Sequence, residues 1–463
     1  MTTSYDAMDE DAPPSAVALS PVSFVERAAE VHGGLTAIVH GRRRQDWRST
    51  RERVARLAAA LQAAGIGPGD TVSLLLADTP EAIEAHYAVP AVGAVVHALD
   101  PSLGVDALTE RMAHGETALL LCDRAYAAIG RQVLAQLRAQ QERVPLVVDV
   151  HDSEWPADAV AARLSAVDYE AWLAAHAPLA SLSLPVDERA AIALNHVGGD
   201  RRPLRGVVTH HRGACLKAVC NALTWSLPLH PVFLWTLPLH QANGWGFVWT
   251  LALQAGTHVC LRSRDPRSVL QAMRQHQVTH FCALPDVHEA LLAVPQDWRI
   301  GLDRPVRSWI GGAPVEPALL DALVRAGFDV TQVYGLTETG GPAAVTVSQP
   351  GWAAESLTEQ VRLCARQGVR QPLQEGLAVC DPLTLRPVAC DGRSVGEVMF
   401  RGNLVMKGYL KDPQATRAAL AGGWLRTGDL AVREPDGHIR LVRPDGTAGG
   451  LRLPAAAAVD LLV

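Results

Sequence analysis

The chain has 463 residues, 48% of them hydrophobic, and a net charge of −6 with acids and bases interspersed. That is enough chain for two or three packed units, and it excludes extended disorder, a nucleic-acid footprint and a polybasic membrane patch. Small molecules are left as the expected partners.

The acidic start, MTTSYDAMDEDAPP, lacks the basic flank and apolar core of a secretory signal, and no apolar run of about 18 residues follows it. The cytoplasm is the expected compartment, with no membrane span. Eight cysteines (Cys122, Cys215, Cys220, Cys260, Cys282, Cys364, Cys380 and Cys390) are scattered without metal-ligand spacing. They read as small apolar residues rather than disulfides or a zinc site.

Helical spacing from Thr50 to Ala64 is followed by short apolar runs at Thr71 to Leu76, Ala118 to Cys122 and Pro145 to Val150. Helices alternating with buried strands predict an α/β unit with a mostly parallel sheet. A second set begins near Ala190, with strands expected at Val232 to Leu237, Thr257 to Leu261, Val278 to Ala283 and Ser308 to Ile310. From about Thr346 the texture changes to short strands punctuated by Gly and Pro, which predicts a small antiparallel unit. In such folds ligands sit at the carboxyl ends of strands and at seams between units.

The motifs that carry chemistry lie in the second half. In order they are LPLHQANGWGFVWTLALQAGTHVCLR from Leu237, GGAP from Gly311, VYGLTETGG from Val333, RQGVR from Arg366, GNLVMKGYLKDP from Gly402 and GWLRTGDL from Gly423. Taken singly, Thr337 and Glu338 suit a helix cap, Asp429 a turn after Gly428, and His240 a satisfied core histidine. As an ordered set they resemble the acyl-CoA synthetase branch of the adenylate-forming superfamily, from about Phe24 to Arg443. The segment around Asn243, Gly244 and Trp245 is similar to that of ligases for medium-chain and aromatic acids.

The resemblance implies a two-step reaction. A carboxylate attacks the α-phosphate of ATP to give an acyl-adenylate, and coenzyme A then displaces AMP. It also implies an adenylate site of Gly311, Gly312, Ala313 and Pro314 beside the base, Tyr334 and Gly335 on the purine, Thr337 on the phosphate, and Asp429 and Arg443 on the ribose. Glu338 would hold Mg²⁺, a hard cation suited to carboxylate and phosphate oxygens. The acyl group would lie against His240, Asn243, Gly244, Trp245 and Leu336, with Thr337, Glu338 and His240 as the catalytic set. Gly449 and Gly450 would guide coenzyme A.

The implied architecture is a flexible N-terminus (1–20), two doubly wound α/β subdomains (21–185 and 186–345, the second with the adenylate site) and a small antiparallel β-rich subdomain (346–442). A hinge and stub (443–463) would stand where the family has a further C-terminal domain, here absent or truncated.

One stretch departs from the family pattern. Where a hydroxyl-rich phosphate loop is expected, the chain reads NHVGGDRRPLRGV from Asn195. Gly198, Pro203 and Gly206 keep the frame, while His196, Val197, Gly199, Asp200 and Arg201 replace the donors, and Arg205 takes the place of a lysine. A hydrogen bond to a charged group contributes about 1.5–3 kcal/mol, so losing several weakens pyrophosphate positioning by orders of magnitude. Asp200 adds repulsion of about 4 kcal/mol if it stands ~4 Å from a phosphate at an effective dielectric near 20. The expected function is therefore thioesterification of a preformed acyl-adenylate with coenzyme A, the adenylate coming from a separate adenylating ligase. That type resembles the non-adenylating ligases of bacterial antibiotic pathways. The alternatives are a complete ATP-dependent acyl-CoA synthetase, for which Arg201, Arg202 and Arg205 would compensate, and an inactive acyl-adenylate binder.

Overall fold

The computed structural model describes residues 15–152, 154, 163–199, 202–295, 298, 305–313 and 315–442. Asp200, Arg201, Pro314, Arg443, Gly449 and Gly450 lie outside the described residues, as does the side chain of Arg202.

The first long helix, Trp47–Ala63, begins three residues before the helical spacing predicts, because the Asp46 side chain caps it by accepting from the Ser49 N–H at 2.7 Å. Its apolar face buries Trp47, Val54, Leu57 and Leu61 completely. Each such side chain contributes about 1.5–3 kcal/mol on removal from water. Strands follow at Thr71–Leu75, Thr117–Asp123 and Leu146–Val150, close to the predicted runs.

These strands belong to a seven-stranded sheet, in spatial order Gly408–Tyr409, Arg202–His210, Ala191–Gly199, Val95–Ala98, Thr71–Leu75, Thr117–Asp123 and Leu146–Val150. Its inner neighbours run parallel, as buried strands joined by helices should. A nine-stranded sheet runs Val369–Arg370, Gly341–Val345, Phe328–Leu336, Val306–Ile310, His280–Ala283, Val232–Leu234, Thr257–Cys260, Thr36–His40 and Arg43–Asp46. Membership does not follow chain order. The early strand Thr36–His40 pairs with Thr257–Cys260, and the hairpin of Ala191–Gly199 and Arg202–His210 joins the seven-stranded sheet. The third sheet, Gly376–Cys380, Val395–Arg401, Leu425–Arg433 and Ile439–Leu441, is wholly antiparallel.

The largest apolar cluster joins the two big sheets and includes Trp47, Val72, Leu119, Phe233, Trp235 and Trp309. Six of the eight cysteines are buried, Cys364 is half-buried and Cys390 is exposed. Among the described residues no helix is long and apolar enough to cross a membrane.

Candidate active site

A cavity of about 620 Å³ opens where the three sheets meet. The parallel strand Val95–Ala98 ends in it, so His97, Leu99 and Asp100 face it from the carboxyl end of a strand. Of the residues expected at the site, Gly312, Ala313, Tyr334, Gly335, Leu336, Thr337, Asp429, His240 and Trp245 line it. Motifs spread over roughly 190 residues of chain are thus gathered around one space.

Local chemistry positions each of them. Thr339 builds the turn carrying Thr337 and Glu338, its hydroxyl accepting from Leu336 N–H at 2.9 Å and donating to Gly341 O at 2.7 Å. Asp429 is held from behind by buried Glu397, which accepts from Gly428 N–H at 2.9 Å and pairs with Arg426 at 2.6 Å. Tyr334 packs its ring toward Phe400, centroids 6.0 Å apart, and its hydroxyl donates to Asp429 Oδ2 at 2.7 Å. The aromatic and the carboxylate of two distant motifs are therefore one hydrogen-bonded unit.

Four expected residues are close by but do not line the cavity. Gly311 packs on the Val333 carbonyl, where an added Cβ would lie 2.5 Å away. Asn243 is buried behind the wall, donating to Asn195 Oδ1 at 3.1 Å. Gly244 lies on the Trp235 ring. Glu338 turns toward Tyr409, whose hydroxyl donates to Oε1 at 2.9 Å, while Oε2 is buried and unpartnered among the described residues. A buried carboxylate oxygen with no partner suits a hard cation, so Glu338 fits Mg²⁺.

The segment before Trp245 is backbone of an unusual kind. Ala242, Asn243, Gly244, Trp245 and Gly246 have φ of 46°, 54°, 56°, 53° and 77°, one turn of left-handed helix. Each non-glycine residue there costs about 1–2 kcal/mol. Trp245 N–H donating to Gln241 O at 3.1 Å and Asn221 Nδ2 donating to Trp245 O at 2.9 Å hold the turn in place. The turn sets the indole against Gly341, where a Cβ would meet Trp245 at 2.9 Å. Gly244 is the point of least tolerance, since an added Cβ would lie 2.4 Å from the Trp235 ring at a φ that disfavours side chains. Gly244→Ala is expected to destabilise the protein by more than about 1 kcal/mol. Thermal unfolding checks this, and an unchanged midpoint would show that the turn relaxes freely.

His240 Nε2 stands 3.6 Å from Asp100 Oδ2, an ion-pair distance rather than a hydrogen bond. Burial lowers the imidazole, and Asp100 and Asp78 only partly oppose it. The neighbouring Leu239 N–H is fixed by buried Asp78 Oδ1 at 2.9 Å.

The stretch expected to be a degenerate phosphate loop lies in a hairpin paired from Ala191–His210 out to Gly199–Arg202, with register shifts between Ala191 and Ala193 and between Val197 and Gly199. Val197 pairs with Arg205, Gly198 and Gly199 have φ of 80° and 95°, and Gly199 lines a second cavity rather than the first. Arg205 lies over the Tyr409 ring at 5.0 Å, and the hydroxyl of that ring donates to Glu338. His196 makes hydrogen bonds with both ring nitrogens, to His97 and His114, each 2.9 Å.

Several cavity residues escaped the sequence reading. His97 comes from the strand Val95–Ala98, Arg111 from the helix Val105–His114 and Asp100 from the connection between them, and no local pattern marks them. Arg111 also bonds the hairpin at Gly198 O, 3.2 Å. Lys217 is fully buried behind the cavity and donates to the Pro342 carbonyl and to Gln371 Oε1; burial pushes its ammonium down to about 8. A lysine inside an apolar helical stretch was the one available signal.

With this geometry in view, comparison with known proteins is informative. The family model of AMP-binding enzymes matches residues 25–410. The peroxisomal acetate/butyrate–CoA ligase of Arabidopsis thaliana is 38% identical over 438 residues, covering 93% of this chain and 76% of that protein. An acetate–CoA ligase of Humulus lupulus is 37% identical over 430 residues, covering 92% and 76%. Among solved structures, anthranilate CoA ligase in complex with anthranoyl-AMP superposes with a TM-score of 0.78 at 18% identity, covering 92% of this chain and 77% of that one. The N-terminal domain of FACL13 from Mycobacterium tuberculosis gives 0.75 at 22%, covering 92% and 100%. The chain belongs to the AMP-binding enzyme family of the adenylate-forming superfamily and is a ligase of the acyl-CoA synthetase type.

Proposed function

We propose that the enzyme takes a preformed acyl-adenylate and transfers its acyl group to coenzyme A, with little or no adenylation of its own, as a step in bacterial natural-product assembly. The observation carrying this reading is the hairpin of Ala191–Gly199 and Arg202–His210. Its ladder uses backbone donors that a phosphate loop would point at ATP, His196 has both nitrogens engaged, and Arg205 is occupied by Tyr409. Groups that an adenylate needs are untouched by these changes.

In this reading Gly312, Ala313 and Tyr334 flank the base, Asp429 accepts from the ribose hydroxyls and Thr337 donates to the single phosphate. Glu338 would hold Mg²⁺, which when bound supplies charge neutralisation at phosphate oxygens. The acyl group runs past Leu336, Trp245 and His240. As the thiol sulfur bonds to the acyl carbon, the bond to the phosphate oxygen breaks and AMP leaves; His240, kept neutral by burial, is the acceptor for the thiol proton. A separate ligase supplies the adenylate.

A complete ATP-dependent synthetase is the second reading. It is favoured by Arg111, a guanidinium in the same cavity, and by relatives named as acetate and butyrate ligases. Parallel incubations separate the two: acid with ATP and coenzyme A, against synthetic acyl-adenylate with coenzyme A. Acyl-CoA is expected only from the second. Titration calorimetry should likewise give an acyl-sulfamoyl adenosine at least about a hundredfold tighter binding than ATP, the equivalent of two lost charged hydrogen bonds. Similar affinities would sink the non-adenylating reading.

A further inference from the structure

The helix His211–Thr224 carries Lys217 and Asn221 four residues apart, and therefore on one face. Both are buried. Asn221 Nδ2 donates to Trp245 O at 2.9 Å, while the Lys217 ammonium donates to Pro342 O and, at 3.4 Å, to Gln371 Oε1. Trp245, Gly341 and Pro342 line the cavity, and Lys217, Asn221 and Gln371 stand behind that wall.

Two wall segments thus meet over a single helix face. An added Cβ on Gly341 would lie 2.9 Å from Trp245, one on Gly246 would lie 2.8 Å from Lys217 Cγ, and one on Gly340 would lie 3.6 Å from Lys217 Cε. The lysine stem fills the space between the left-handed turn that carries Trp245 and the start of the strand Gly341–Val345. Cys220 adds a contact to the same Gln371 Oε1 at 3.5 Å, and Gln371 N–H donates to Ala343 O at 3.0 Å. The grip therefore reaches a third segment.

An ammonium carries three donors and no acceptor, so one side chain can hold oxygens from two segments at once. Both oxygens belong to neutral groups, and burying a charge among such groups is costly. A methionine of similar length would fill the same space without that cost, and would hold neither oxygen. What the lysine adds is the grip.

We propose that Lys217 is a specificity-determining residue acting from behind the acyl wall: by holding Pro342 and Gln371 on the helix that also holds Trp245, it fixes the seam between Trp245 and Gly341–Pro342 and so limits the size of the acyl group admitted. Its role is positioning, since it does not line the cavity. Close-packed walls transmit such a constraint, and a fixed seam excludes groups that a loose one admits. The inference rests on the placement of the acyl group against Trp245 in the reading above.

The test measures dissociation constants by calorimetry for AMP and for acyl-sulfamoyl adenosines carrying acetyl, butyryl and benzoyl groups. In Lys217→Met the preference between acetyl and benzoyl probes is expected to shift toward benzoyl by about tenfold, the scale on which apolar pockets distinguish groups of different size, with AMP binding unchanged. Lys217→Gln keeps a donor on a shorter arm and should shift less. Trp245→Phe tests the acyl placement itself. An unchanged preference among acyl groups in Trp245→Phe overturns that placement, and the inference with it; a preference that moves in Trp245→Phe but not in Lys217→Met overturns the inference alone. Equal weakening of AMP and every acyl probe in Lys217→Met would make the lysine a structural support only, which also overturns it. Should Lys217→Met fail to fold, Lys217→Gln is read by the same criteria.

Discussion

Asp429→Asn is expected to weaken binding of an acyl-sulfamoyl adenosine by about 1.5–3 kcal/mol, roughly ten- to a hundredfold, with the fold intact. The reasoning is that a carboxylate accepting ribose hydroxyls makes charge-assisted bonds that a neutral amide replaces poorly. Asparagine is the informative choice because Asp429 also accepts from the Tyr334 hydroxyl at 2.7 Å in a buried setting. Asp429→Ala would also remove the hydrogen bond from that hydroxyl, and so mix two effects. An amide oxygen keeps an acceptor for Tyr334. Unchanged affinity with an unchanged melting curve would remove the ribose role.

Replacing Val197 to Arg205 with a Thr/Ser/Gly-rich segment ending in Pro-Lys should raise ATP–pyrophosphate exchange at least tenfold over background, given the right acid. Restored donors act at about 1.5–3 kcal/mol each, and the lysine that replaces Arg205 supplies a cation in place of one that lies over the Tyr409 ring. The graft leaves His196 in place, so the anchor to His97 and His114 survives. The measurement is made on a polypeptide that carries the superfamily's C-terminal domain, where the family resemblance places a lysine that assists adenylation. Exchange still at background, with adenylate binding intact, would mean that the hairpin is not the cause; an inactive binder would then be the better description.

What could be read from the residues alone was whatever is local. YGLTE and WLRTGD are contiguous, and a turn with a donor and a carboxylate needs only neighbours to be recognised. Alternating helix and strand periodicity foretold two doubly wound units and the antiparallel third, because periodicity is what one buried face imposes on a segment. Boundaries shifted by a few residues where a side chain settled them, as Asp46 does for the helix at Trp47–Ala63.

The rest is a matter of distance along the chain. His196 and its partners His97 and His114 are 99 and 82 residues apart, and each alone is an unremarked histidine. Only the meeting of the hairpin with the strand Val95–Ala98 and the helix Val105–His114 makes them an array. Glu338 was legible as a carboxylate, but its turn toward Tyr409, 71 residues on, was not. The left-handed turn at Ala242–Gly246 is disfavoured by its own residues and exists because Trp235, Gln241 and Asn221 hold it. Sequence determined which groups are present and in what order, since motif chemistry is short-range. Tertiary structure decided which of them face the cavity and which are spent on one another, since hydrogen bonds and packing form between whatever the sheets bring together.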